Sequence, residues 1–198
     1  MNTYTVIRRP ENGDWNTVPV LKMENNLFSS ESDVTATAQV CYDETALYVK
    51  LQAVETQIRA ELTGALDEIC EDSCLEFFFS PMEGDNRYFN LEVNPNGAMY
   101  FGFGTSVQNL YRLVPENHPI KPVIERTADG WSVEYAVPAE FVRLFFPSFV
   151  LKPGKTIRAN FFKCGELTPV PHWRCWNFIP TERKTFHCPD CFGLLQLA

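Results

Sequence analysis

The side chains best equipped for chemistry fall in two stretches. From Ile69 to Gly97 the chain reads I-C-E-D-S-C-L-E-F-F-F-S-P, a short Gly/Asp/Asn turn, then R-Y-F-N-L-E-V-N-P-N-G; from Glu166 to Pro189 it carries Trp173, Arg174, Trp176 and Asn177. Successive side chains of a strand alternate between two faces. Leu75, Phe77 and Phe79 therefore share one face, and Cys74, Glu76 and Phe78 the other. In the second segment Phe89, Leu91 and Val93 oppose Tyr88, Asn90, Glu92 and Asn94. Paired as a hairpin through Met82–Asn86, the two give a sheet with one apolar side and one side carrying carboxylates, amides and a phenol. That chemistry suits a polyhydroxylated ligand. Glu76, Asn90 and Asn94 would bond hydroxyls, Tyr88 would flank, and Trp176 or Trp173 would offer an indole face to a pyranose ring.

Other chemistries draw less support from the residues. Glu76 and Glu92 form a carboxylate pair, but no nucleophile elbow, H-E-x-x-H, phosphate loop or dinucleotide fingerprint accompanies them, so no enzyme is expected. Met99 with His172 or His187 would suit an axial haem pair, an alternative that no spacing enforces. The Phe-rich composition admits a protein-interaction module. Of the seven cysteines, Cys188 and Cys191 beside His187, with Cys164 and Cys175 upstream, admit a zinc site, though a second close pair is missing. Reduced, buried thiols are the default expectation. Asp72 and Glu71 could help hold a structural calcium, but no spaced calcium loop is present; otherwise no cofactor is expected.

The elements that position these residues read as short strands. Asp33–Tyr42 and Leu47–Val54 alternate about Asp43-Glu44-Thr45, and Val123–Arg126 and Trp131–Val137 bracket the Ala128-Asp129-Gly130 turn. Tyr4–Ile7, Met99–Gly104, Thr156–Cys164 and Phe192–Leu197 are further strands, and Ile58–Leu66 is a short helix or irregular. Ala139–Phe146, opened by Pro138 and stopped by Pro147, is the one helix; Glu166–Pro189 reads as a loop. The pattern predicts an all-β fold, a two-sheet antiparallel β-sandwich of jelly-roll or immunoglobulin-like layering with one short helix. At 198 residues with 45% hydrophobic content, one domain spanning residues 1–198 can bury an ample core. A net charge of −8 without a basic cluster argues against nucleic acid or a membrane surface as partner. The first ten residues lack an apolar signal core, which predicts a cytoplasmic protein if Met1 is the natural start. Oligomeric state is left open.

Taken in order, the segments D-V-T-A-T-A-Q-V-C-Y-D, L-Y-V-K-L-Q-A, E-D-S-C-L-E-F-F-F-S-P, Y-F-N-L-E-V-N-P-N-G, G-W-S-V-E-Y-A-V-P, R-A-N-F-F-K and F-H-C-P-D-C-F-G resemble carbohydrate-binding module family 9 and its DOMON-related kin. The resemblance spans Asp33 to Leu197 and implies a β-sandwich that holds a mono- or oligosaccharide between two Trp rings, without catalytic machinery. It implies a ligand role for Glu76, Asn94 and Asn160, and places the second ring at Trp176 or Trp173. The first ring's position, six residues before Glu76, is Cys70 here, a departure from the family pattern.

Overall fold

A computed structural model describes residues 1–28 and 32–198. The N-terminal part supplies β1 (Thr3–Arg8), the short β2 (Leu21–Lys22) and β3 (Asn25–Asn26), and the hairpin β4 (Thr35–Tyr42) and β5 (Ala46–Val54). The middle supplies β6 (Cys74–Ser80), β7 (Tyr88–Val93), β8 (Met99–Gly104) and β9 (Leu110–Arg112). Then come β10 (Val123–Arg126), β11 (Gly130–Pro138), α1 (Ala139–Arg143), β12 (Thr156–Gly165), β13 (His172–Cys175) and β14 (Gly193–Leu197). The strands join in one mixed sheet of order β10-β11-β5-β4-β1-β14-β12-β6-β7-β8-β9, with β2, β3 and β13 branching from it.

The sheet curls over itself. One apolar cluster gathers Val40, Leu51 and Val133 from the β4-β5-β11 part and Phe77, Leu91 and Phe161 from the β6-β7-β12 part. The inward faces are those that alternation predicts. The expected architecture needs one correction. β1 lies parallel to both β14 and β4, so it joins the two parts into one mixed sheet where two separate antiparallel ones were expected. Alternation of period two is the same in parallel and antiparallel pairs, so the pattern carries no information on direction.

The helix is shorter than its sequence signal: α1 ends at Arg143, and turns continue it until Phe146 N–H donates to Val142 O at 2.9 Å. Phe141, Val142 and Phe146 are buried. Ile58–Leu66 is irregular and leads into a single 3-10 turn at Ile69–Glu71. Within the supposed Glu166–Pro189 loop, β13 pairs antiparallel with β12 and also with β3. That strand positions Trp173.

Candidate functional site

Strand register alone builds the floor of a cleft on the outer face of the sheet. Residues directly opposite one another on neighbouring strands share a face. Phe162 on β12 lies opposite Glu76 on β6, Glu76 opposite Glu92 on β7, and Glu92 opposite Tyr100 on β8. One step along, Trp173 on β13 lies opposite Cys164 on β12, which lies opposite Cys74. The outer face of the sheet thus carries two rows, one of carboxylates ending in a phenol, the other of thiols ending in an indole.

Over this floor opens a cleft of about 480 Å³. Glu76, Glu92, Cys70 and Cys164 form its base; Trp173, Phe28 and Tyr100 wall it; Glu68, Glu166 and His187 stand at its edges. Phe28 meets Trp173 edge-on at 5.0 Å between ring centroids, so the indole is held in place and one part of it stays exposed. Across the cleft the Arg112 guanidinium lies 3.9 Å over the Tyr100 ring and is tied to the backbone at Leu66 and Asp67. Both rings are rigid platforms.

The floor is far drier than a polar sheet face would suggest, for every residue of β6 and β7 is buried. The segments around Leu62 and Phe186 pack over the outer face. Burial raises the carboxyls of Glu76 and Glu92 well above the ordinary range; the Glu166 charge adds to this for Glu76, and the Glu76 and Glu68 charges for Glu92. Glu76 Oε1 accepts the Cys164 thiol at 2.8 Å, and Glu92 Oε1 accepts Asn90 Nδ2 at 2.8 Å. Each carboxyl keeps its other oxygen free of protein hydrogen bonds among the described residues.

The other predicted site residues divide sharply. Glu76 and Trp173 share the cleft. Tyr88 is buried beneath its edge, with its hydroxyl 2.8 Å from His187 Nδ1. Asn90 supports Glu92 from below, and a Cβ on Gly102, its partner on β8, would come within 2.0 Å of Asn90 Oδ1. Asn94 is buried and donates to Leu62 O and Asp72 Oδ2, and Asn160 is buried and donates to Asn177 O. These two amides fasten the covering loops. Trp176 departs most from expectation: only 6% exposed, it packs edge-on against Phe161 in the main core, away from the cleft. Glu92, Tyr100, Glu166 and His187 are cleft residues absent from the predicted set; of these, Glu92 and Tyr100 were legible from alternation in β7 and β8.

Three cofactor readings do not assemble. Asp72 accepts from Arg59, from the Glu61 and Leu62 N–H groups and from Asn94, so its carboxylate is saturated and offers nothing to calcium. Cys188 and Cys191, 5.3 Å apart at Cα across a single turn, are joined as a disulfide, which corrects the expected reduced pair and removes both from the proposed zinc set. Met99 lies in the main core, His172 in a buried ion-pair network and His187 at the cleft, so the haem pairing is not formed. The Phe enrichment fills the interior; among the described residues Phe178 is the single exposed Phe, which removes the motive for an interaction surface.

The description of a protein family, carbohydrate-binding family 9, matches residues 9–197. The chain belongs to carbohydrate-binding family 9. Its members are non-catalytic binding modules, in agreement with the lack of an enzyme signature. Among solved structures, a candidate carbohydrate-binding protein from Bacteroides uniformis is 25% identical with TM-score 0.84, the match covering 99% of each chain. A family 9 module from Caldicellulosiruptor kristjanssonii, in complex with glucose, shares the fold at 14% identity and TM-score 0.70, covering 100% of this chain and 96% of that one. A further structure from that organism, in complex with cellotriose, gives 13% identity and TM-score 0.68, with 99% and 93% covered. No protein of curated function matches the sequence significantly.

Beneath the cleft of this family 9 domain lies a second polar cluster, on the inner face of β12. Alternation turns Lys163 inward where Cys164 turns outward. Lys163 Nζ reaches Glu55 Oε2 at 3.2 Å and donates to Cys164 O at 2.7 Å and to His172 Nε2 at 2.8 Å. Trp131 Nε1 and Ser73 Oγ donate to Glu55 at 2.6 and 3.1 Å. His172 is thereby fixed as the neutral tautomer with its proton on Nδ1, which donates to Val170 O at 2.9 Å. Burial and then the Lys163 charge lower its pKa to about 4. Between about pH 6.5 and 4 the unfolded chain therefore binds more protons at this site than the folded one, and His172 erodes stability as pH falls through that window. Glu76 and Glu92, raised in the fold, act with the opposite sign, so the His172 contribution must be read as a difference. Denaturation of wild type and His172→Gln at pH 7 and pH 4.5 should show the wild type losing on the order of 2–3 kcal/mol more than the variant on acidification. Parallel pH profiles would contradict the assignment.

Proposed function

We propose that the cleft binds a mono- or oligosaccharide, with Trp173 as stacking platform and the free oxygens of Glu76 and Glu92 as acceptors for sugar hydroxyls. The observation that carries the reading is that one partly exposed, immobilised indole and two buried carboxyls open on a single hollow. The volume, about 480 Å³, suits a ligand of one to a few sugar rings. Glucose and cellotriose, bound by the C. kristjanssonii modules, are the first ligands to test. With Cys70 where the family places its first ring, one aromatic wall is replaced by a thiol, and Tyr100 on the other side of the floor supplies the remaining apolar surface.

The test is titration calorimetry of the folded domain against a panel that begins with these sugars. Trp173→Ala should weaken the best ligand at least tenfold, about 1.4 kcal/mol or more, with an unchanged circular dichroism spectrum. A folded wild type that binds no sugar in the panel, or a Trp173→Ala variant of undiminished affinity, would overturn the proposal.

A further inference from the structure

The floor of the cleft contains a donor set of which the sugar reading uses only one oxygen of Glu76. Cys74, Cys164 and Glu76 each offer a donor atom within 4.8 Å of the other two, and all three residues are buried. We propose that these side chains form a binding site for a thiophilic divalent cation, zinc being the natural candidate.

The arrangement follows from the sheet itself. Cys74 and Cys164 are direct cross-strand partners, and Glu76 lies two residues along β6 on the same face. No rearrangement of loops is needed to bring the three together, and rigid strands are the elements that hold a metal site in shape. Tetrahedral zinc with Zn–S bonds of about 2.3 Å sets its ligands roughly 3.7 Å apart. Cys164 Sγ is 2.8 Å from Glu76 Oε1, so a cation requires that edge of the trio to open. Two sulfurs and one oxygen form a soft set that favours zinc over calcium or magnesium.

The neighbourhood is short of competing partners. Besides the bond from Cys164 to Glu76, the two thiols bond each other and reach only distant carbonyls, Cys74 to Leu75 O at 4.0 Å and Cys164 to Cys70 O at 3.7 Å. The nearest ammonium in sequence, Lys163, turns to the opposite face and is engaged by Glu55 and His172. Glu76 and Cys164 line the cleft, which gives the ion a path in and leaves a fourth coordination position open toward it. On binding, each cysteine releases its thiol proton and Glu76 its carboxyl proton to solvent, so two thiolates and one carboxylate face a charge of +2. The second oxygen of Glu76 remains directed to the cleft ligand. The site therefore does not depend on the sugar reading.

The test uses the purified full chain under mild reductant, stripped of metal and titrated with zinc against a chromophoric chelator, and separately with cadmium as a spectroscopic probe. One equivalent of zinc should bind with sub-micromolar affinity, and cadmium should give the ultraviolet charge-transfer band of thiolate ligation. Cys74→Ser and Cys164→Ser should each weaken binding at least a hundredfold. Cys41→Ser, which removes a free buried thiol elsewhere in the sheet, should leave it unchanged. If the serine variants do not fold, Glu76→Gln keeps both thiols and should still weaken zinc at least tenfold. A wild type that takes up no zinc or cadmium, binding that survives these substitutions, or a Cys74–Cys164 disulfide that persists under reductant would overturn the inference. Loss of sugar binding alone would not.

Discussion

Lys163→Met should cost the domain about 3–5 kcal/mol of stability, read as a lower midpoint in chemical denaturation with an unchanged slope. For a chain of this length that corresponds to a fall in Tm on the order of 10 °C. The size comes from what is left behind. Lys163 and Glu55 are fully buried, and their pair joins the two parts of the curled sheet across the interior. Methionine fills much the same volume, so little of the effect is a cavity. Without the ammonium, the Glu55 carboxylate keeps the Trp131 and Ser73 donors but loses its counter-charge, while Cys164 O and His172 Nε2 lose their donor. Adding Glu55→Gln removes the stranded charge, so the double variant should cost clearly less than the two single losses added together. A single-variant cost below about 1 kcal/mol would show that water reaches the pair and screens it.

That network was not legible in the sequence, and the reason is physical. Alternation sets Lys163 on the face of Ile157, Ala159 and Phe161, and Glu55, just past its strand, on that of Leu51 and Ala53, but it does not say that the two charges meet. What buries them is a contact between parts of the chain 108 positions apart, which no local period encodes. The outer floor was legible because period two is local. Glu76, Glu92, Asn90 and Tyr88 fall on the predicted face, and Leu75, Phe77, Phe79, Phe89, Leu91 and Val93 on the other. The reading went astray in taking a polar face for a wet one. The segments that cover it carry the Asn94 and Asn160 bonds, so amides that looked ready for a ligand are fasteners. Strand direction was silent for the same reason that alternation was informative: β1 would read identically in either sense.

The two tryptophans of W-R-C-W show where local pattern stops and register takes over. Residues three apart in an extended chain point to opposite faces, so Trp173 and Trp176 cannot both face one cleft. Which one does is set by the pairing of Cys164 with Trp173, a long-range fact. Trp176 then turns into the core, against Phe161 and against Gly193, where an added Cβ would lie 2.7 Å from the indole. Trp176→Ala should therefore remove about 3–5 kcal/mol of stability, because a buried indole leaves a cavity that rigid strands cannot close. Its backbone carbonyl, which accepts from Asn2 and Asn25, is retained in the variant. At a temperature where the variant is still folded, affinity for the best sugar should stay within about twofold of wild type, whereas Trp173→Ala loses tenfold or more at little cost in stability. Calorimetry and denaturation of both variants separate a platform from a core residue. If Trp176→Ala abolished binding while leaving stability intact, the indole at the ligand would be Trp176, and the cleft floored by Glu76 and Glu92 would lose its claim as the sugar site.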